Sequence, residues 1–193
     1  MTTSTKPTVT EQSTPGAPAD TLRRRTLLVG ALDGMAASIV MAMFAMVASV
    51  TYQHHGFFTP LFHISALVGS SASMMSSVQQ AMTGHSFWFT PGAAVVGVAI
   101  HMMTGAMFGA VFALIARRTP RRSFIPVGAL YGLGVFAFSS IIGLPVAAAI
   151  TGSGDVISQM ASTVGWATFA IEHVMFGIAL GAIAFVQPSR TVR

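Results

Sequence analysis

The chain contains no cysteine. Disulfides, thiolate metal centres and cysteine nucleophiles are excluded, and thiols say nothing of the redox compartment. Charge is almost as scarce. Asp, Glu, Lys and Arg make up 8% of the 193 residues, against about 25% in a soluble domain. Between Leu27 and Ala116 the only one of them is Asp33. So long a stretch with one formal charge cannot clothe a surface facing water, which excludes a soluble enzyme, a free nucleic-acid-binding domain and a disordered protein. Catalytic signatures are missing too. There is no GxSxG, no HExxH, no phosphate-binding glycine loop ending in Lys and no paired acidic motif, so no catalytic residue is assigned and an enzyme acting alone is the least favoured class.

What is present is apolar: 53% of the residues, with 13 Met and 19 Gly. The fold class expected is all-α integral membrane. A span needs about 20 mostly apolar residues, and 27–50, 91–116, 124–150 and 164–186 qualify. Thr90-Pro91 reads as an N-cap followed by Pro at the first helical position. Arg117-Arg118 and Arg121-Arg122 bracket Thr119-Pro120 in a tight turn, and Gln187-Pro188 closes the last span. Residues 1–24, rich in Thr, Ser, Pro, Ala and Gly, read as a disordered tail; 25–188 is the transmembrane domain and 189–193 a second tail. Arg23, Arg24 and Arg25 before an apolar run imitate a secretory or twin-arginine signal. The run 27–50 exceeds the usual h-region of about 7–15 residues, which favours an uncleaved first helix.

The ten Lys and Arg residues fall in the N-terminal segment, the 117–122 turn or the C-terminal tail. The positive-inside rule then puts both termini and the 117–122 turn in the cytoplasm. Tyr52, Phe87, Trp88, Phe89 and Trp166 fall near the outer boundary, where aromatic belts form. In the long outer connection, Thr59-Pro60 repeats the helix-start signal, and 60–69 is expected to be a short interfacial helix.

Two pattern matches suggest two related helical hairpins. Gly30-Ala31-Leu32-Asp33-Gly34 matches Gly128-Ala129-Leu130-Tyr131-Gly132, and His101 with Gly105 and Gly109 matches His173 with Gly177 and Gly181. Each span thus carries one GxxxG, which lets helix backbones approach closely. All the motifs lie toward the cytoplasmic end, predicting a tight inner half and a looser outer half.

At a rise of about 1.5 Å per residue, His101, Glu172 and His173 share a layer roughly 20 Å from the inner boundary. Asp33 lies roughly 9 Å from it by the same rise, within reach of Tyr131 or cytoplasmic water. Ionisable groups at such depth face a bundle interior or a water cavity. Four readings fit the layer. Neutral histidines can hydrogen-bond across helices with Glu172 protonated or paired. The layer can relay protons or a solute. His101 and His173 match the axial pair of a haem b. Copper could use His101, His173 and the thioethers Met103 and Met107, beside Met41, Met43 and Met46. The outer His54, His55, His63, His85, Met74, Met75 and Met82 read more simply as solvated loop residues and adaptable packing.

The Gly30–Gly34 segment, Gly56-Phe57-Phe58-Thr59-Pro60, His101 and His173 with their glycines, and Gly128–Gly132 together resemble bacterial inner-membrane proteins of the YagU-like type. The resemblance covers about 25–188 and implies a four-span fold; no activity comes with it. The expected function is a binding or accessory membrane component with a buried His/Glu layer. The alternatives are a small proton-coupled transporter or permease, and a haem b- or copper-binding electron-transfer subunit. The expected partners are the lipid bilayer and, in the assembled state, a second copy or a larger membrane complex; nucleic acid is not among them.

Overall fold

The computed structural model describes residues 17–187, and among them every regular element is helical. Both tails beyond these bounds lie outside the described residues. Four segments are long and apolar enough to cross a membrane: Asp20–Thr51, Pro91–Ala116, Arg121–Thr151 and Trp166–Val186. The chain is therefore a multi-pass helical membrane protein.

The first span is α1 (Ala17–Thr51). It starts inside the segment expected to be a tail. Asp20 in the first turn suits the helix macrodipole, and Leu22 with three arginines are good helix formers. The arginine triplet thus rides on the helix. The next span is α4 (Pro91–Ala116); Thr90 is its N-cap with extended backbone and Pro91 opens the helix, but the Thr90 side chain makes no capping bond.

The third span differs from the uniform helix expected over 124–150. It runs as α5 (Phe124–Phe138), a π turn (Ser139–Gly143) and α6 (Leu144–Thr151). Pro145 supplies the reason. It has no N–H for the Ile141 carbonyl and its ring crowds that turn; the wider π turn absorbs both problems. The fourth span, α9 (Trp166–Val186), starts two residues later than expected because Gly165 takes φ +93° and breaks the chain direction.

Between the spans lie short helices. After α1 come α2 (Thr59–Ser65) and α3 (Ala72–Met82); after α6 come α7 (Asp155–Ser158) and α8 (Met160–Val164). We call their side the capped end and the Arg117–Arg122 side the basic end. The short helix expected over 60–69 forms, but it is not laid on a surface. Leu61, Phe62, His63 and Ser65 are buried, and the Leu61 carbonyl sits where a Cβ on Gly97 of α4 would be. Phe62 meets Trp88 edge-on at 5.7 Å, Phe57 meets Phe87 at 5.4 Å and Phe58 meets Phe89 at 4.8 Å. These rings cluster, yet Phe87 and Phe89, like Tyr52 and Trp166, stay exposed; of the aromatics expected in a belt only Trp88 is partly covered.

Packing follows the glycines. In the basic half, Gly30 and Gly34 of α1 lie against Gly105 and Gly109 of α4, backbone to backbone. Gly128 and Gly132 of α5 lie against α9 in the same way, at Gly177, Gly181 and the His173 carbonyl. Any Cβ at these sites would overlap a facing carbonyl or Cα. The two pairs join through α1 and α9, where Ala37, Phe112, Phe176 and Leu180 are buried together. The pairs meet only locally between α4 and α5. There the Tyr131 hydroxyl donates to the Phe108 carbonyl at 2.7 Å and the Phe108 ring meets Phe138 edge-on at 6.2 Å. Beyond that contact α4 does not pack along the π turn or α6.

Candidate functional site

The capped half encloses a cavity of about 330 Å³. Its depth is bounded by Phe108 of α4 and Phe176 of α9, the last lining residues toward the basic end on those helices. Leu61, His63 and Leu67 from α2 and its exit, with Ile157, Met160 and Val164 from α7 and α8, close it toward the capped end. Hydrogen bonds between the two connections hold this roof. His63 Nε2 donates to the Val156 carbonyl at 2.7 Å, Gln53 Nε2 to the Val164 carbonyl at 2.8 Å, and the Tyr52 hydroxyl to Thr168 Oγ1 at 3.2 Å.

On one side the wall is thin. Thr104 and Met107 of α4 and Phe138 of α5 line the cavity and are also exposed on the outer surface. They flank the gap where α4 parts from the π turn. Ser139 and Gly143 of that turn face the same space. The cavity's mouth thus lies between α4 and the third span, on the surface that spanning helices offer to lipid.

His101, Glu172 and His173 all line this cavity, so the expected layer assembles. The two rings are held differently. His101 Nε2 donates to the Ser38 carbonyl of α1 at 2.9 Å, across the helix pair. His173 Nδ1 donates to the Phe169 carbonyl, one turn back on its own helix, at 2.7 Å. A carbonyl only accepts, so each bond fixes the proton on that nitrogen. The bare nitrogens are His101 Nδ1 and His173 Nε2, and in the neutral rings both are acceptors.

Glu172 is 5% exposed and takes no hydrogen bond from any described group. Among the described residues no fully enclosed side-chain nitrogen or oxygen lacks a partner. The Glu172 carboxyl therefore borders open space, and the space its residue lines is the cavity. It makes no bond to His101, which the rotation between neighbouring positions on a helix already disfavoured.

Asp33 stands apart, in the basic half. Its partner is Gln187, whose Nε2 donates to Asp33 Oδ1 at 2.6 Å. Tyr131, one of the two expected partners, donates to Phe108 instead. Arg121 donates to the Phe185 carbonyl and, at 2.8 Å, to the Gln187 carbonyl. A cation on the last carbonyls of α9 is a favourable C-terminal cap. Asp33 thus helps anchor the end of α9 rather than serve the cavity.

The metal readings fare less well. Met103 is 73% exposed and does not line the cavity, so the Met103/Met107 pair does not face His101 and His173 together. Among the described residues no three His, Asp or Glu groups converge as a metal site. The glycines below each histidine are filled by facing backbone, which leaves no slot there for a porphyrin edge. His54, His85, Met75 and Met82 are exposed and do not line the cavity.

His63 is the residue that sequence reasoning misplaced. Expected to be solvated, it is 4% exposed and lines the cavity roof. Burial lowers its pKa from the ordinary 6.5, with the Val156 bond opposing and nearby His55 adding to the shift. The signal was the adjoining Thr59-Pro60 start with apolar Leu61, Phe62 and Ile64 around it.

The chain matches no protein-family profile, no curated protein and no solved structure.

Proposed function

We propose that this is a ligand-binding component of a bacterial inner membrane, with its binding chamber in the outer half. In this reading both termini and the Arg117–Arg122 turn are cytoplasmic, as the basic residues direct. The chain is two related hairpins, α1/α4 and α5/α9, packed through matching glycines, and kinship with the YagU-like proteins belongs to the same proposal. The carrying observation is the Glu172 carboxyl: buried, without a partner among the described residues, on the wall of a chamber of about 330 Å³. Small-molecule pockets start at about 300 Å³ and combine apolar walls with a few placed polar groups. A carboxyl left unpaired in a membrane interior is costly and marks function more often than packing.

The test is binding of a neutral, environment-sensitive fluorophore to the purified protein in nanodiscs. The wild type should bind at one site per chain. Ala42→Phe, which fills the lining, should weaken binding at least about tenfold, or roughly 1.4 kcal/mol. Equal binding by both proteins would place the probe in lipid and remove the chamber from the account.

A second reading, a small permease, is favoured by the placement of the chamber between two hairpins and its closure toward the basic end. It adds one requirement, that the glycine-packed half open during a cycle. Flux in proteoliposomes loaded with the ligand distinguishes it from simple binding.

A further inference from the structure

Of the chamber's polar groups, Ser38, Thr104 and Gln53 already donate to backbone carbonyls and Ser139 adds a hydroxyl; the ionisable groups are of one kind. His101, His173 and His63 each commit their N–H to a backbone carbonyl, so the nitrogen each has left is an acceptor. Glu172 adds a carboxyl. No Lys or Arg lies anywhere from 26 to 116 or from 123 to 187, so within the spans the chain brings no cation of its own to this layer. A ligand suited to these walls must therefore bring the donors and the positive charge.

The apolar lining sets the rest. Met41, Ala42, Leu144, Phe138 and Phe176 surround the layer. Phe169 lies edge-on to His173 at 4.4 Å, another aromatic surface of the kind that tolerates a cation. The mouth between Thr104, Met107 and Phe138 opens on the lipid-facing side. A molecule that reaches it travels in the bilayer.

Resting on the binding function proposed above, we infer that the ligand is an amphiphilic amine in its protonated form. Its ammonium sits against Glu172 and the bare nitrogens of His101 and His173, and its alkyl or aromatic body lies among the apolar walls. Such a ligand supplies a counter-charge for the buried carboxylate, and its N–H groups meet acceptors that no described residue satisfies. An anionic lipid would face an acidic group and three acceptors. A neutral ketone or alcohol would leave the carboxylate unpaired.

The probes are decylammonium, decanol and decyltrimethylammonium, each displacing the neutral fluorophore from the full-length protein in nanodiscs of uncharged lipid. In the wild type, decylammonium should compete at least about tenfold better than decanol. Decyltrimethylammonium keeps the charge but has no N–H, and should fall between them. Glu172→Gln should bring the decylammonium-to-decanol ratio close to one, while Glu172→Asp should keep most of the preference. Melting and size-exclusion profiles report whether each variant is folded. Equal competition by decylammonium and decanol in the wild type overturns the inference but leaves the chamber standing. A preference that survives in Glu172→Gln also overturns it, because the selectivity then does not come from the carboxyl. If the fluorophore itself does not bind the wild type, it is the binding function that fails. Saturable uptake of zinc or copper that blocks decylammonium and needs Glu172 would replace the amine by a metal ion.

Discussion

The two halves of the bundle use the same four helices in opposite ways. In the basic half, backbone meets backbone at Gly30, Gly34, Gly105 and Gly109, and again at Gly128, Gly132, Gly177 and Gly181. In the capped half no span glycine lies against the backbone of another span, and Gly97 packs on the Leu61 carbonyl of α2 instead. Gly143 meets only the Phe138 ring and carbonyl, at 3.6 and 3.7 Å, and Gly134 meets nothing within 4 Å. Lipid tails are as apolar as side chains, so helices associate in a membrane by close packing rather than by hydrophobic exclusion. Remove the small residues and the helices part. The basic half therefore holds the bundle together, and the capped half is free to enclose a chamber under its own roof.

The largest effect should come from the glycine contacts. Gly109→Val places side-chain atoms on the Gly30 carbonyl and the Gly34 backbone. We expect a loss of about 3 kcal/mol or failure to assemble, the upper range for overpacking a tight interface. Gly134→Ala, in open space, should change melting by no more than about 0.5 kcal/mol. Similar losses at both sites, read from thermal unfolding in detergent, would end the contrast between packed and open glycines.

Next is Glu172→Leu. An unpaired buried carboxyl is replaced by an apolar group, so this variant should be more stable than wild type by about 1–3 kcal/mol, and it should lose ligand. A variant that is both less stable and still able to bind would mean that Glu172 serves packing.

The roof comes third. His63→Ala removes the bond to the Val156 carbonyl, a loss of about 1–2 kcal/mol. Hydrogen exchange should rise in α2 and α7 and stay unchanged in the glycine-packed parts of α1 and α4. Uniform change across all four would show that the roof and the packed half unfold as one unit.

The smallest effect is on pH. Burial holds the His63 pKa below 6.5, so the docked roof prefers the neutral ring. Its contribution is complete above 6.5 and declines as pH falls below that value, since the open form takes the proton more readily. The protection of α2 amides, taken relative to the intrinsic exchange rate at each pH, should fall modestly between neutral and mildly acidic pH. His63→Gln should flatten the response; protection that falls toward alkaline pH instead would contradict the sign.

How much of this was legible beforehand divides along physical lines. Hydropathy marks spans because the bilayer imposes a length, so the ends of the four spans emerged within three residues, except the start of the first, which lies at Asp20 rather than 27. GxxxG is a packing rule, and the glycine faces were readable for that reason. The layer of His101, Glu172 and His173 followed from helix rise alone. The π turn was not read, although Pro145 was the clue, because a proline in a span can kink, break or widen a helix and only neighbours decide. The burial of α2 was hidden too. A seven-residue helix has too few positions to show which face is covered, and its docking partner, Gly97, lies more than thirty residues away in sequence. Asp33 pairs with Gln187 across 154 positions, a contact that no local pattern encodes.

The absence of cysteine makes the central contrast directly measurable. Ser139→Cys puts a thiol on the chamber wall, and Ala37→Cys puts one in the packed core, where Ala37 is 0% exposed. Both are single thiols in an otherwise cysteine-free chain. With a small neutral thiosulfonate in nanodiscs, Ser139→Cys should label rapidly and decylammonium should slow the reaction, while Ala37→Cys should stay unlabelled until the protein is unfolded. Equal labelling of the two thiols, or a Ser139→Cys thiol as inert as Ala37→Cys, would contradict the chamber.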